Sequence, residues 1–223
     1  MEATFVDAEI TPEDACEGLT VIKRTWSLVD DCGNAAEDQE QIITIEDNTV
    51  PTFTAPADIT VYKDENCDYV ITVDITGDVT NEADNCTTEL EATFVDAEIT
   101  PEDACEGLTV IKRTWSLVDD CGNAAADQVQ TITVEDNTPP TFTRPEDITI
   151  YRDATCGYDA SVTVTGDVTD EADNCGVGQA TFADVVDDDD PCAVVITRTW
   201  SLVDNCGNAA ADQVQTITVE DNT

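Results

Sequence analysis

One sequence feature constrains the fold more than any other: a long segment that occurs twice without change. Residues 2–36, EATFVDAEITPEDACEGLTVIKRTWSLVDDCGNAA, recur letter for letter as residues 91–125. A third, diverged copy begins at residue 180 as ATFADVVDDDDPCAVVITRTWSLVDNCGNAA, and it places Trp200 where the earlier copies have Trp26 and Trp115. Self-similarity at a fixed period is the signature of an array of small structural units. The chain is therefore predicted to be a tandem repeat.

Proline-containing joints separate the copies. EDNTVPTFTAP (residues 46–56) and EDNTPPTFTRP (residues 135–145) link one copy to the next. The predicted modules are residues 1–49, 50–138 and 139–223. The first has only the C-terminal half of a module, because nothing before it corresponds to residues 51–90. We therefore expect further chain upstream in a longer parent protein.

Within each module the hydrophobic residues fall in short alternating runs that are rich in β-branched residues, which predicts strands and no helix. The predicted strands of the middle copy are residues 59–63, 69–79, 91–99, 108–118 and 128–135. In the fourth strand Ile111, Trp115 and Leu117 share one face. We expect that face to be buried with the tryptophan as a core anchor, and Arg113 to lie at its rim. Each module is thus predicted to be a β-sandwich.

The composition is strongly acidic. The chain has 223 residues and a formal net charge of -42, with no histidine and ten cysteines. Such a chain repels phosphate backbones and anionic lipids, so no nucleic acid partner is expected and divalent cations are the natural counter-ions. No apolar run reaches the roughly 20 residues of a membrane span, so no membrane insertion is expected.

Ten cysteines without histidine or a CxxC pair indicate disulfides, and hence a secreted, extracellular or cell-surface protein. Counting alternate strands places Cys67 and Cys105 at the far end of a module, and Cys86 and Cys121 at the near end. A strand of about eleven residues spans roughly 35 Å against the ~6 Å between Cα atoms that a disulfide allows, so cysteines at the same end should pair. The predicted bridges are Cys67–Cys105, Cys86–Cys121, Cys156–Cys192 and Cys175–Cys206, with Cys16 and Cys32 unpaired.

Acidic residues and asparagines gather at the joints. The loops NEADNC (residues 81–86) and DEADNC (residues 170–175) return to the near end of a module, as do the VDDCGN and VDNCGN turns, and there they meet the EDN exit of the preceding copy. Carboxylate and amide oxygens are hard ligands, which suit the roughly six to eight oxygens around Ca²⁺. The predicted calcium ligands are Glu46, Asp47, Asn48, Glu82, Asp84, Asn85, Asp119 and Asp120 at the first joint, and Glu135, Asp136, Asn137, Asp170, Glu171, Asp173, Asn174 and Asp204 at the second. The alternative is that acidic loops are only solvated surface, which is favoured for residues 187–190.

The segment TWSLVDDCGNAAADQVQTITVEDNTPPTFTRPEDITI is similar to the hyalin-repeat (HYR and HYR-like) modules of extracellular proteins. The shared features are the D-x-GN turn at Asp120, Gly122 and Asn123, the strand and linker that follow it, and the next strand. The resemblance implies an immunoglobulin-like sandwich, in modules that occur in animal adhesion proteins and in long arrays of secreted bacterial surface proteins. The EDNTPPTF linker also resembles the linker of cadherins that holds calcium between domains.

These observations predict a fold class and a function. The fold is expected to be all-β, with tandem immunoglobulin-like β-sandwich modules set end to end. The expected function is that of a structural repeat segment of a long calcium-stabilised extracellular fibre, filament or cell-surface adhesin, whose partners are neighbouring copies of the same repeats. The alternative is an adhesion module that binds a glycan or protein ligand through exposed loops. No enzyme is expected, because there is no histidine base, phosphate loop or cleft with paired acids.

Overall fold

The computed structural model describes residues 1–190 and 193–222. The chain is built from strands, apart from two single-turn helices in this part, and the predicted class of repeated immunoglobulin-like β-sandwich modules is confirmed. The chain forms two compact units. The first comprises Met1–Asp58, Val73–Ala97 and Lys112–Thr131, and the second comprises Ile59–Thr72, Glu98–Ile111 and Ile132–Thr223. The module boundaries at residues 49/50 and 138/139 stay a prediction.

The three copies of the repeat have corresponding elements. Those of the first are β1 (Ala3–Glu9), β2 (Thr20–Leu28) and β3 (Gln39–Ile45). Those of the second are β4 (Thr52–Thr54), β5 (Ile59–Tyr62), α1 (Val73–Thr76), β6 (Thr80–Ala83), β7 (Thr93–Glu98), β8 (Thr109–Ser116) and β9 (Gln128–Glu135). Those of the third are β10 (Thr141–Thr143), β11 (Ile148–Tyr151), α2 (Val162–Thr165), β12 (Thr169–Ala172), β13 (Thr181–Asp187), β14 (Ala193–Ser201) and β15 (Gln213–Glu220). Among the described residues, no helix is long and apolar enough to cross a membrane.

The third copy shows the layers of the sandwich. One sheet has the order β11-β15-β14-β13, and the second is the pair β10-β12. Strand β11 runs parallel to β15, with Ile148 opposite Ile217, while the other pairs are antiparallel. Strand β14 alternates between buried and partly exposed residues, as expected of a strand with one face on the core. Trp200, 1% exposed, packs with Phe142 and Leu202 between the layers, which confirms the predicted tryptophan anchor.

Each complete copy also buries an arginine beside its tryptophan. Arg113 is 1% exposed. The prediction that it lies at the rim of the buried face is therefore wrong. It donates from Nε and NH2 to the two carboxylate oxygens of Asp96, at 2.7 and 2.8 Å, and from NH1 to Thr76 Oγ1 at 2.7 Å. A bidentate carboxylate and a hydroxyl satisfy the guanidinium, so its burial is tolerated. Arg198 has the equivalent contacts with Asp184 and Thr165.

The second copy repeats this order, as β5-β9-β8-β7 and β4-β6. Four of its five predicted strands are confirmed, but the strand predicted at residues 69–79 is wrong, because this segment contains the helical turn α1. The turn closes with a bond from Gly77 N to Val73 O. In this turn Thr76 O accepts a hydrogen bond from the buried Gln130 Nε2 at 2.7 Å. A strand would use that carbonyl in its own ladder, so the buried glutamine favours the turn.

The disulfides differ from the predicted pairing. The structure bonds Cys16 to Cys121, Cys67 to Cys175 and Cys105 to Cys206, with Cα–Cα distances of 5.1, 5.0 and 5.2 Å. The predictions Cys67–Cys105, Cys86–Cys121 and Cys175–Cys206 are therefore wrong, as is an unpaired Cys16. Cys32, Cys86 and Cys156 are free thiols. The predicted Cys156–Cys192 bridge involves Cys192, which lies outside the described residues. Each bridge joins a far-end cysteine of one copy to a near-end cysteine of the next, and counting strands within one module carries no information about the neighbouring copy.

Candidate metal centre

Two groups of three aspartates are the most concentrated oxygen donors of the described structure. We call Asp47, Asp84 and Asp119 the first triad, and Asp136, Asp173 and Asp204 the second triad. In each triad, one carboxylate oxygen from every residue lies within 4.8 Å of the others. The first triad belongs to the first compact unit and the second triad to the second. All six residues are among the predicted calcium ligands, so the structure brings together one aspartate from each of the three predicted sequence segments.

Each triad is assembled from three local motifs that fix the carboxylates through backbone amides. Asp47 lies just after β3, and its Oδ1 accepts from Thr49 N at 2.9 Å. Asp84 lies just after β6, and its Oδ2 accepts from Cys86 N at 2.8 Å and from Thr87 N at 3.0 Å. These are short Asx-type turns, in which an aspartate caps the amides that follow it. The carboxylates are therefore oriented before any ligand arrives.

The third member of each triad lies in the turn after the tryptophan strand. Asp119 accepts from Asn123 N and from Asn123 Nδ2, both at 2.7 Å, and Asn123 Nδ2 also donates to Asp47 O at 3.1 Å. Asn208 makes the same contacts with Asp204 and Asp136 O in the second triad. These asparagines hold the site together, yet they were absent from the predicted ligands. The D-x-GN turn that contains them was the signal that could have identified this role.

The remaining carboxylate oxygens of each triad are the most informative atoms. Asp47 Oδ2 and Asp84 Oδ1 are buried without a hydrogen-bond partner, and so are Asp136 Oδ2 and Asp173 Oδ1. Burying an anionic oxygen without a hydrogen-bond partner is unfavourable, because the lost hydration is not replaced. The equivalent oxygens lack a hydrogen-bond partner in both triads, so this feature recurs with the repeat.

The electrostatic cost of each triad is also large. Three carboxylates with one oxygen each within 4.8 Å of the others repel one another by about 3 kcal/mol per pair at an effective dielectric constant of roughly 20. None of the ion pairs formed by the described residues involves a triad carboxylate. The backbone hydrogen bond from Thr49 nevertheless holds the pKa of Asp47 below its usual value, although partial burial opposes this. A cation is the group that would neutralise such a cluster.

The thiol of Cys86 lies beside the first triad but is a poor ligand there. Burial, followed by the negative charge of Asp47, raises the pKa of this thiol. Asn85 Nδ2 donates to its sulfur at 3.1 Å. Since only a thiolate binds metals well, a thiol held neutral leaves the donor set to oxygen. The equivalent Cys175 is tied up in a disulfide.

A glycine makes room for the first member of each triad. A Cβ added at Gly18 would lie 2.2 Å from Asp47 Cβ, and one added at Gly107 would lie 2.5 Å from Asp136 Cβ and 2.7 Å from Cys206 Sγ. Real Cβ atoms do not approach other atoms so closely, so only glycine fits at these two positions. The backbone of residues 18 and 107 therefore lies directly against Asp47 and Asp136.

Open cavities lie next to both triads. A cavity of about 260 Å³ is lined by Cys16, Leu19, Glu46, Asp47, Asn48, Cys121 and Asn123. A cavity of about 390 Å³ is lined by Tyr62, Cys105, Leu108, Glu135, Asp136, Asn137, Cys206 and Asn208. Each cavity is lined by one triad aspartate, Asp47 or Asp136, and each has a disulfide in its wall.

The other predicted ligands are not part of the triads. Glu82 Oε1 and Glu171 Oε1 accept hydrogen bonds from the backbone amides of Ala92 and Ala180, both at 2.9 Å. Asn174 Oδ1 is a further buried oxygen without a hydrogen-bond partner, whereas Asn174 Nδ2 donates to Asp64 O. The remaining predicted ligands are exposed, namely Glu46, Asn48, Asn85, Asp120, Glu135, Asn137 and Asp170.

Comparisons with known proteins give one distant structural likeness. No family model matches the chain, and no curated protein matches it. Among solved structures, it is similar to the crystal structure of Drosophila N-cadherin EC1-4, with 10% sequence identity and a TM-score of 0.30. The alignment covers 94% of this chain and 59% of that chain, so this chain spans less than two thirds of the length of the cadherin structure. Likeness at this level carries no functional assignment.

Proposed function

We propose that the chain is a calcium-stabilised structural repeat segment of a long extracellular fibre, filament or cell-surface adhesin, built from HYR-like modules, and that it is not an enzyme. The observation that carries the proposal is the pair of aspartate triads, repeated with the same buried, unpartnered oxygens. Its partners would be neighbouring copies of the same repeats. Near-identical repeats suit a role in which length and stiffness matter more than a unique binding surface.

The chemistry of the triads favours calcium over other common metals. Three carboxylates, with backbone and amide oxygens nearby, form a hard, anionic donor set without imidazole or thiolate, which suits Ca²⁺. Mg²⁺ prefers to keep several waters and an octahedral shell, so it is expected to bind more weakly at a site built from turns. The formal net charge of -42 adds a general attraction for divalent cations.

The disulfides support an extracellular location. Three bridges tie together segments that are 101 to 108 residues apart in sequence. Structural disulfides of this kind persist in oxidising compartments and are rare where thiols are kept reduced. Covalent bridges within a unit and cations in its acidic turns would act together against unfolding under load.

Thermal unfolding in the presence and absence of calcium tests the proposal. Calcium at about 100 times its dissociation constant should stabilise the folded chain by about 2.7 kcal/mol per site. For a chain of this size that corresponds to a rise in Tm of about 5 to 11 °C. Magnesium and potassium chloride at matched ionic strength are the controls and should give a much smaller rise. An equal rise with all three salts would indicate general screening of negative charge and would remove the basis for a calcium site.

A further inference from the structure

The first copy of the repeat presents a sheet face that the other two copies keep covered. We define the open face as the side of β1–β3 that carries Ile22, Arg24, Trp26, Gln41, Ile43 and Ile45. The equivalent residues of the third copy are at most 2% exposed, and they are Ile196, Arg198, Trp200, Gln215, Ile217 and Val219. In the first copy Ile45 is 52% exposed, and the Arg24 side chain is 26% exposed against 2% for Arg198.

The third copy shows what covers this face. The covering segment lies within residues 142–168, which form the first half of the same repeat. Phe142, Val162 and Val168 pack with Trp200 and Leu202. Further along, β11 adds a parallel strand beside β15, with its isoleucines on Ile217 and Val219. The occupant of this face is therefore known in two other copies of the repeat.

Polar groups of the face recognise the same segment. Gln215 Nε2 donates to Glu146 O at 2.9 Å and to Thr165 O at 2.8 Å, and Arg198 NH1 donates to Thr165 Oγ1 at 2.8 Å. In the first copy the glutamine is turned differently: Gln41 is exposed and accepts from Trp26 Nε1 at 3.3 Å. The first copy thus retains the residues that bind such a segment, in a different local arrangement.

The free thiol of Cys86 is a second observation, independent of the exposure of the open face, that points to an occupant of this face. The second unit has two bridges between successive copies, Cys105–Cys206 and Cys67–Cys175. The first unit repeats the former as Cys16–Cys121, whereas Cys86, the equivalent of Cys175, is free. The two turns share the same backbone hydrogen bond, because Cys86 N and Cys175 N each donate to an aspartate Oδ2 at 2.8 Å. The bridging partner in the second unit, Cys67, belongs to a first-half segment.

We propose that the open face is a docking site for a polypeptide segment with the first-half sequence of this repeat, as in residues 50–80, and that the docked segment forms a disulfide with Cys86. Its isoleucine strand would add in parallel beside β3, and Phe53 and Val73 of the segment would cover Trp26. One occupant accounts for both the uncovered face and the free thiol. Its sequence is that of the segment covering the face in the second copy.

A synthetic peptide of residues 50–80, with Cys67 carried as a mixed disulfide with an aromatic thiol, tests the proposal on the full chain. Because the pKa of Cys86 is raised, the reaction is run at a pH high enough to deprotonate its thiol. The Cys86 thiolate then attacks the peptide sulfur, the new Cys67–Cys86 disulfide forms, and the aromatic group leaves as a thiolate with the electron pair, while the Cys86 proton has passed to the solvent. No further oxidant is needed. Release of the coloured thiol gives the rate, and peptide mapping gives the site. Coupling at Cys86 should be at least about tenfold faster than at the exposed Cys32, because docking raises the effective concentration of the peptide.

Two adjacent substitutions provide a matched control. Ile43→Glu places a charge on the open face, which docking would have to bury, and should abolish both the rate advantage and binding of a serine version of the peptide. Ile42→Glu places the same charge on the opposite side, where Ile42 is already 56% exposed, and should leave both unchanged. Cys86→Ser should remove coupling but retain binding. Equal coupling at Cys86 and Cys32, or equal behaviour of the two glutamate variants, would overturn the proposal.

Discussion

Asp84→Asn should separate the structural role of the first triad from its role in binding a cation. The substitution keeps the shape of the side chain, and its amide oxygen can still accept from Cys86 N and Thr87 N. It removes one of three charges, and with it two of the three pairwise repulsions, each about 3 kcal/mol. Weaker bonds to a neutral acceptor offset this by about 1 kcal/mol each. Without calcium the variant should therefore be at least as stable as the wild type.

With calcium the order should reverse. Loss of one carboxylate ligand should weaken calcium at the first triad by at least about tenfold, or about 1.4 kcal/mol. Calorimetric unfolding in chelator and in saturating calcium measures both states, and titration calorimetry gives the affinity. Asp14→Asn, at an exposed position, removes the same charge and should change neither order. If Asp84→Asn lowered the free energy of unfolding equally in chelator and in calcium, the carboxylate would be only a turn cap and the reasoning would be refuted.

Three further changes have distinct expected results. Gly107→Ala should destabilise the second unit by about 1–3 kcal/mol in denaturant unfolding and weaken calcium at the second triad, because the new Cβ would lie 2.7 Å from Cys206 Sγ; an unchanged midpoint would contradict the packing. Removing the bridge by replacing Cys105 and Cys206 with serine should cost up to about 4 to 5 kcal/mol, since it closes a loop of 101 residues, and a loss below 1 kcal/mol would show that the bridge is not a main brace. Hydrogen bonds from Thr155 hold the pKa of Asp153 below its usual value, so its stabilising effect is present above that usual value and is lost as the pH falls through the lowered pKa. The difference in unfolding free energy between wild type and Asp153→Asn should therefore shrink below pH 4, and a difference that grew would reverse the assigned sign.

The sequence predicted the fold well where one rule of chemistry dominates. Strands β8 and β9 follow from alternation, because one face must be buried and Trp115 and Ile132 lie on it. The strand prediction for residues 69–79 was wrong because the alternating pattern of this segment is typical of a strand although the segment forms a helical turn. What decides it is the hydrogen-bonding demand of Gln130 and Arg113, which are distant in sequence. Alternation carries no information about such demands.

The candidate site was predicted in part for a similar reason. The acidic loops were expected to converge, and Asp47, Asp84 and Asp119 do lie together. The geometry of each turn decides which of the neighbouring acidic residues stay outside the triad. Glu82 accepts a hydrogen bond from a backbone amide, and Asp120 is exposed. The disulfide prediction was wrong because strand counting sorts cysteines by module end and carries no information about pairing with the next copy.

The position of a bound cation tests the central claim most directly. An anomalous difference map from crystals grown with calcium would locate any such ion without reference to stability or rate. The account predicts one peak among Asp47, Asp84 and Asp119 and a second among Asp136, Asp173 and Asp204. Maps in which both triads hold only water, while calcium lies elsewhere or nowhere on the chain, would contradict it.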